Sequence, residues 1–272
     1  GLSPCDKGVF KGLKSVRVVE DGEVLTEVES LYEKDGNFVR VDYKIYKGTQ
    51  YADVSVNVLW NENAKALKLR VPFALKGKFI GQIPYASDEF AKNGEEIVAH
   101  RFVADGEYAA YIANDCVYSF SMDNDDLYIT LLRGIAYCAH PIENRPLLEQ
   151  DRFIPFVETG RHTFDFRIGY CKLSELENAT QEFVARKEGL NYFPHGEYAQ
   201  PKKFEISDKS VSLSSCRFVG EEYELRLFNN NADERSAIIS VDGIKSEYKF
   251  GSCEVKTLVF DGKKFREKEL WV

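Results

Sequence analysis

Methionine occurs once, at Met122, and histidine only four times, at His100, His140, His162 and His195. The histidines stand far apart and show none of the ligand spacings of a zinc site. HExxH, GxSxG and the P-loop glycine pattern are all missing, so no motif marks a metalloprotease, a serine hydrolase or a nucleotide-binding protein. A Ser-His-Asp triad assembles in space rather than along the chain, and nothing in the order of residues points to one. Basic charge is in deficit: 36 Lys and Arg against 44 Asp and Glu leave a net charge of -8, the wrong sign for a general nucleic-acid surface. No apolar run approaches the roughly 20 residues that cross a bilayer, and no secretory signal opens the chain. CxxC pairs are absent too. The six cysteines, Cys5, Cys116, Cys138, Cys171, Cys216 and Cys253, are scattered, and 272 residues build a core without disulfides, so buried free thiols are expected.

What is present supports a folded protein, with 44% hydrophobic and 29% charged residues. The chain opens Gly1-Leu2-Ser3, so it reads as an excised or processed segment, and a missing domain would then carry the chemistry. A tag remnant on a small full-length protein is the other reading.

Alternation with period two dominates. "KSVRVVEDGEVLTEVESLY" reads as two strands around the turn Asp21-Gly22. In "NFVRVDYKIYK", Val39, Val41, Tyr43 and Ile45 are expected to face a core, with Phe38, Arg40, Asp42 and Lys44 mostly toward water. "YADVSVNVLWNENAKALKLRVPF" repeats the form with Val54, Val56, Val58 and Trp60, then Leu67, Leu69 and Val71. "EIVAHRFVA", "EYAAYIA", "CVYSFSM" and "LYITLLR" follow as further strands. The pattern predicts a mainly β protein: antiparallel sheets packed as a large β-sandwich.

One helix is expected over 174–188. Leu176, Ala179, Phe183 and Val184 share a face, Ser174 and Glu177 have capping-box spacing, and Gly189 is placed to end it. The triplet Asn178-Ala179-Thr180 matches a glycosylation acceptor but lies inside that helix, and it is set aside. "NYFPHGEYAQPKK" reads as a linker, after which strands resume through "KELWV". Two domains are therefore expected, 1–195 with the helix and 196–272 as a smaller C-terminal β-sandwich. No period of 20 to 50 residues recurs, so a solenoid is not expected.

Chemistry is harder to find. Glycosidases use paired carboxylates, but 44 acidic residues always offer pairs, so their presence says little. "DNDD" at Asp123 to Asp126 reads most simply as a turn, with calcium ligation as the sharper alternative. Trp60 reads as a core anchor, and the sequence does not decide for Trp271. About thirty residues separate the strand ending at Leu132 from the one beginning at Thr163, and loops of that length are either functional or solvated linkers. This stretch holds His140, Glu143, Arg145, Glu149, Asp151 and Arg152.

The segment from Asp105 to Tyr170 resembles the C-terminal β domain of glycoside hydrolase family 38, the α-mannosidases. "NDCVYSFSMDNDDLYITLLRGIAYCAH" and "ETGRHTFDFRI" carry the likeness. Asn114, Asp115, Cys116 and Tyr118 match the family's Asn-Asp-Cys-x-Tyr strand; Leu131, Leu132 and Arg133 match its Leu-Leu-Arg; Tyr137, Ala139 and His140 match its Tyr-Ala-His-His in part. Cys138 is inserted there and Pro141 replaces the second histidine. Gly160 and Phe164 match the strand that follows, and "VNVLWNENAKALKLRVPF" is similar to the family's Asp-Trp-Asn-Glu strand pair.

The resemblance implies a galactose-mutarotase-like supersandwich, a smaller C-terminal sandwich, and one helix between them. It implies that the chain is the C-terminal β region of an α-mannosidase, inactive alone, with zinc and the catalytic nucleophile in an absent N-terminal domain and no cofactor of its own. The family's reaction is retaining hydrolysis of α-mannosides. The implied partners are that N-terminal catalytic domain and mannose-containing glycans, with no nucleic acid and no membrane; the implied location is a bacterial cytoplasm. In related enzymes the β portion sends loop residues toward the substrate, so His140, Asp151 and Arg152 are the expected substrate-proximal residues, none of them catalytic. A stand-alone carbohydrate-binding sandwich and a purely structural module are the alternatives, and a large exposed apolar surface is what the structural reading requires.

Overall fold

The structure, a computed structural model, describes residues 8–73, 77–106, 110–135, 156–188 and 203–269. Among these residues the chain forms twenty strands and one α-helix. The first half holds β1 (Leu13–Asp21), β2 (Leu25–Lys34), β3 (Asn37–Tyr46), β4 (Tyr51–Trp60), β5 (Ala66–Pro72), β6 (Phe79–Ile83), β7 (Ala86–Phe90), β8 (Asn93–Val98), β9 (Phe102–Asp105), β10 (Ala110–Asn114), β11 (Ser119–Asp123) and β12 (Asp126–Arg133). Next come β13 (Gly160–Tyr170), a single 3-10 turn at Leu173–Glu175 and helix α1 (Leu176–Glu188). The chain ends with β14 (Phe204–Ile206), β15 (Val211–Val219), β16 (Glu222–Asn229), β17 (Arg235–Val241), β18 (Ile244–Phe250), β19 (Val255–Phe260) and β20 (Phe265–Lys268).

Two compact units emerge. The first draws on residues 1–75, 91–98 and 112–169, the second on residues 76–90, 99–111 and 170–272. The boundary expected at residue 195 lies outside the described residues.

In the first unit, β1, β2, β3, β4 and β13 are hydrogen-bonded in that order, and β5, β12, β11 and β8 form a second sheet. The expected alternation is realised: Val54, Val56, Val58 and Trp60 of β4 are buried, as are Phe164 and Phe166 of β13, which pair with Val56 and Val54. From the second sheet come Phe120, Met122, Leu127 and Ile129, all fully buried. Two turns use Asp-Gly for the positive φ that such hairpins need: Asp35 and Gly36 (φ 52° and 76°) between β2 and β3, and, in the second unit, Asp242 and Gly243 (φ 50° and 83°) between β17 and β18. "DNDD" is also a turn. Asp123 pairs with Asp126 across it, Asn124 takes φ 54°, and Asp126 binds Arg70 at 2.7 Å.

The second unit contains β9, β6 and β7, helix α1, and two C-terminal sheets, β14-β17-β18 and β15-β16-β19-β20. Those two sheets share a core of Leu225, Leu227, Ile239, Val241, Phe250, Leu258 and Phe260. Leu176, Phe183 and Val184 of α1 are buried, on the face expected from their spacing.

Several expectations need correction. "EIVAHRFVA" is not one strand: it breaks at Ala99–Arg101 into β8 and β9, which belong to different sheets and different units. Helix α1 carries no capping box. The chain enters it through the 3-10 turn, whose N-cap Lys172 makes no side-chain cap bond, while the Glu177 carboxylate is taken by other donors. The four described cysteines are free as expected, but Cys116, Cys216 and Cys253 are exposed rather than buried. Asp42 is buried, held by Arg40 at 3.0 Å and Asn57 at 3.3 Å.

Candidate functional site

The three residues expected near substrate, His140, Asp151 and Arg152, lie outside the described residues, as do Trp271 and Gly189. The stems that flank residues 136–155 are described, and they are pinned together. The Val157 N–H donates to Ile135 O at 3.0 Å, and the Arg133 N–H donates to the Glu158 carboxylate. Below them Gly134 sits tightly: its N–H donates to Lys65 O at 2.9 Å, and its carbonyl accepts from Ala64 N–H at 2.5 Å. A side chain at Gly134 would meet Glu62 O at 2.6 Å and Trp60 Nε1 at 3.2 Å. Trp60 is thus a buried anchor beside Gly134. The Asn114 motif has a structural role nearby in sequence: buried Asn114 Oδ1 accepts from the backbone N–H groups of Cys116 (3.1 Å) and Val117 (2.7 Å) and shapes the turn into β11.

Two features of the described residues have functional geometry. The first is a strip of apolar surface on the first unit. Registers place Val41 of β3 opposite Ser30 of β2, and Ser30 opposite Val16 of β1; one step along, Tyr43, Val28 and Val18 align likewise. Residues paired in this way share a face, and here it is the face whose Val39 and Val41 are buried. Yet Val16 and Val18 are each 60% exposed, Leu13 is 55% exposed and Ile45 48%. Tyr43 and Ile45 therefore depart from their expected burial. The apolar face thus continues past the part that is buried.

The second feature is a cavity of about 210 Å³ in the second unit, between the β6–β7 turn, helix α1 and β15–β16. Its most buried charged group is Glu177, in the first turn of α1 and 4% exposed. The carboxylate accepts from Gln82 Nε2 at 2.5 Å, Gln181 Nε2 at 3.2 Å and Asn230 Nδ2 at 3.1 Å. Burial pushes its pKa up, and the bonds from Gln82 and Gln181 with the nearby Arg101 charge oppose the shift only in part. Gln82, itself buried, also accepts the Arg101 N–H on Oε1 at 3.0 Å, so its amide is fixed by both its ends. The Arg101 guanidinium makes no hydrogen bond among the described residues. Burial first and then the Arg101 charge hold the His100 imidazole below its ordinary pKa.

The opposite wall is aromatic. Tyr85 packs edge-on to Phe228, with centroids 5.3 Å apart at 77°. Its hydroxyl lies 3.3 Å from Ser214 Oγ. Tyr85 occupies the second central position of the turn Ile83–Ala86 with φ 63°, after Pro84. That position normally takes glycine, and an L side chain there costs roughly 1–2 kcal/mol.

Sequence reasoning missed all of these cavity residues except Glu177, and gave Glu177 a different role. One signal was available. Glu177 lies seven residues before Val184 and three before the fully buried Thr180, so it falls beside the apolar stripe rather than opposite it. Among the described residues no three His, Cys, Asp or Glu side chains are grouped to hold a metal ion, and no helix is long and apolar enough to cross a membrane.

Residues 5–141 match the glycosyl hydrolases family 38 C-terminal domain. No curated protein matches the chain. Among solved structures, an alpha-mannosidase from Enterococcus faecalis V583 superposes with a TM-score of 0.71 at 9% identity, over 91% of this chain and 35% of that one. A glycosyl hydrolase family 38 protein from Enterococcus faecalis gives 0.69 at 11% identity, over 90% and 36%. At such identities the likeness is one of fold. The chain spans about a third of either solved protein.

Proposed function

The chain belongs to glycosyl hydrolase family 38 through its C-terminal domain, and on that premise we propose that it is the β region of an α-mannosidase-like enzyme, supporting hydrolysis of α-mannosides by packing on an N-terminal catalytic domain of the same polypeptide. The observation that carries this reading is the exposed strip of Leu13, Val16, Val18 and Ile45, a buried face that runs on uncovered. Contiguous apolar surface of this kind marks an interface, and covering it returns the free energy that exposure withholds, about 25 cal/mol per Å². Zinc and the reacting carboxylates belong, in this reading, to the catalytic domain. The role of this chain is to hold that domain and to present the loop of His140, Asp151 and Arg152 to mannose-containing glycans from its pinned base. The planar fork of Arg152 suits paired sugar hydroxyls.

The reading is tested by adding the chain in trans to a family 38 catalytic domain produced without its own β region. Co-elution on gel filtration is expected, and so is the absence of aryl α-mannoside turnover by the chain alone. Separate elution, or turnover by the chain alone, overturns it.

A further inference from the structure

The second unit's cavity has a donor and acceptor set that narrows what can occupy it. An anion entering it would face the carboxylate of Glu177, whose charge is already held by three amide N–H groups. A cation would face the guanidinium of Arg101, which lies near the Glu177 carboxylate but makes no hydrogen bond among the described residues. A purely apolar guest would displace water from Arg101 and from the remaining lone pairs of Glu177 without replacing its hydrogen bonds, which is costly. An uncharged guest rich in hydroxyls satisfies both. Each hydroxyl donates and accepts, so adjacent ones can bridge a carboxylate and a guanidinium.

Shape points the same way. One wall is the ring of Tyr85 braced on Phe228, and the other is polar, with Gln181 beside Glu177. A pyranose has this two-sided character, with apolar C–H faces and a polar rim. The cavity, at about 210 Å³, lies below the range of roughly 300–1,000 Å³ typical of drug-sized ligands, and so suits one ring rather than a chain of them. The wall is also pre-formed. Gln82 is locked at both ends of its amide, and Tyr85 is held at positive φ where glycine would be relaxed. A fixed wall reduces the ordering cost of binding.

We propose that this cavity is a binding site for a single uncharged sugar ring, with Tyr85 as its stacking face and Arg101 and Glu177 gripping its hydroxyls. The proposal rests on this unit's geometry and needs neither the catalytic domain nor hydrolysis.

The test is an NMR titration of the 272-residue chain with methyl α-mannoside, methyl α-glucoside and methyl β-galactoside, and with phosphate and acetate as charged controls. At least one sugar is expected to saturate with Kd of about 1–10 mM, shifting resonances of Tyr85, Arg101 and Gln181. Tyr85→Gly removes the ring while relieving its backbone, and Arg101→Met removes a side chain without a hydrogen-bond partner, so both variants are expected to fold. Each is expected to weaken binding at least about tenfold. No saturation by any of the sugars, affinity undiminished in both variants, or tighter binding of phosphate or acetate overturns the proposal. Because the assay involves no partner, its failure leaves the packing role standing, and loss of the packing role leaves this site standing.

Discussion

Glu177 shows how one buried carboxylate organises its surroundings. Three amide N–H donors from Gln82, Gln181 and Asn230 converge on it, drawn from β6, α1 and the segment after β16. An amide in its place can accept on one atom only, so Glu177→Gln is expected to destabilise the protein at neutral pH by about 1–3 kcal/mol. The pH dependence has a definite sign. Burial raises the folded-state pKa above the ordinary carboxylate value, so the folded protein holds this proton more tightly than the unfolded chain. The group's contribution to stability is therefore fully present below the unfolded pKa and is lost as pH rises through the folded one. Thermal melts from pH 4 to 7 are expected to show a steeper decline for the native protein than for Glu177→Gln; parallel curves would refute the assignment. Arg152 calls for a different measurement. If it grips substrate, Arg152→Ala in the complete enzyme lowers kcat/KM for an α-mannoside about tenfold or more, with an unchanged melting temperature. Unaltered kinetics remove it from the site.

Strands β3 and β4 were readable because their alternation coincides with real burial: Val39, Val41, Val54, Val56 and Val58 are all buried. The same rule failed for Tyr43 and Ile45, since alternation reports which face a side chain points to and not whether anything covers that face. The β6–β7 hairpin was illegible for another reason. Its second strand, "ASDEF", is exposed at its three central residues and carries no apolar period. The cavity that this hairpin walls draws on Gln82, Arg101, Glu177, Ser214 and Phe228, residues with no shared motif, and only folding brings them together. The uncovered strip of β1 yields a test of its own. Val18 is 60% exposed, so Val18→Lys is expected to leave stability within about 0.5 kcal/mol of the parent. On the interface it would bury an unpaired charge, and it should abolish co-elution with the catalytic domain. A variant that still co-elutes moves the interface elsewhere.

Across the whole chain, sequence order and compact unit diverge. Residues 76–90 and 99–111 join the C-terminal strands, while 91–98 joins the N-terminal ones, so no single cut separates the two. The split of "EIVAHRFVA" between β8 and β9 is where this crossing happens, and the triplet Ala99-His100-Arg101, with no glycine or proline, gives little warning of it. Each unit nonetheless has its own buried set: Phe120, Met122, Leu127 and Ile129 in one, Leu227, Ile239, Phe250 and Leu258 in the other. Ile129 and Ile239 are both 0% exposed, and truncating either to Ala is expected to cost about 2–5 kcal/mol. Native-state hydrogen exchange shows where that loss is felt. Ile129→Ala should speed exchange in the amides of β11 and β12 and leave β16 and β19 protected, and Ile239→Ala should do the reverse. If either substitution instead raises exchange in both sets equally, the two cores act as one cooperative body, and the division into units describes contacts without describing stability.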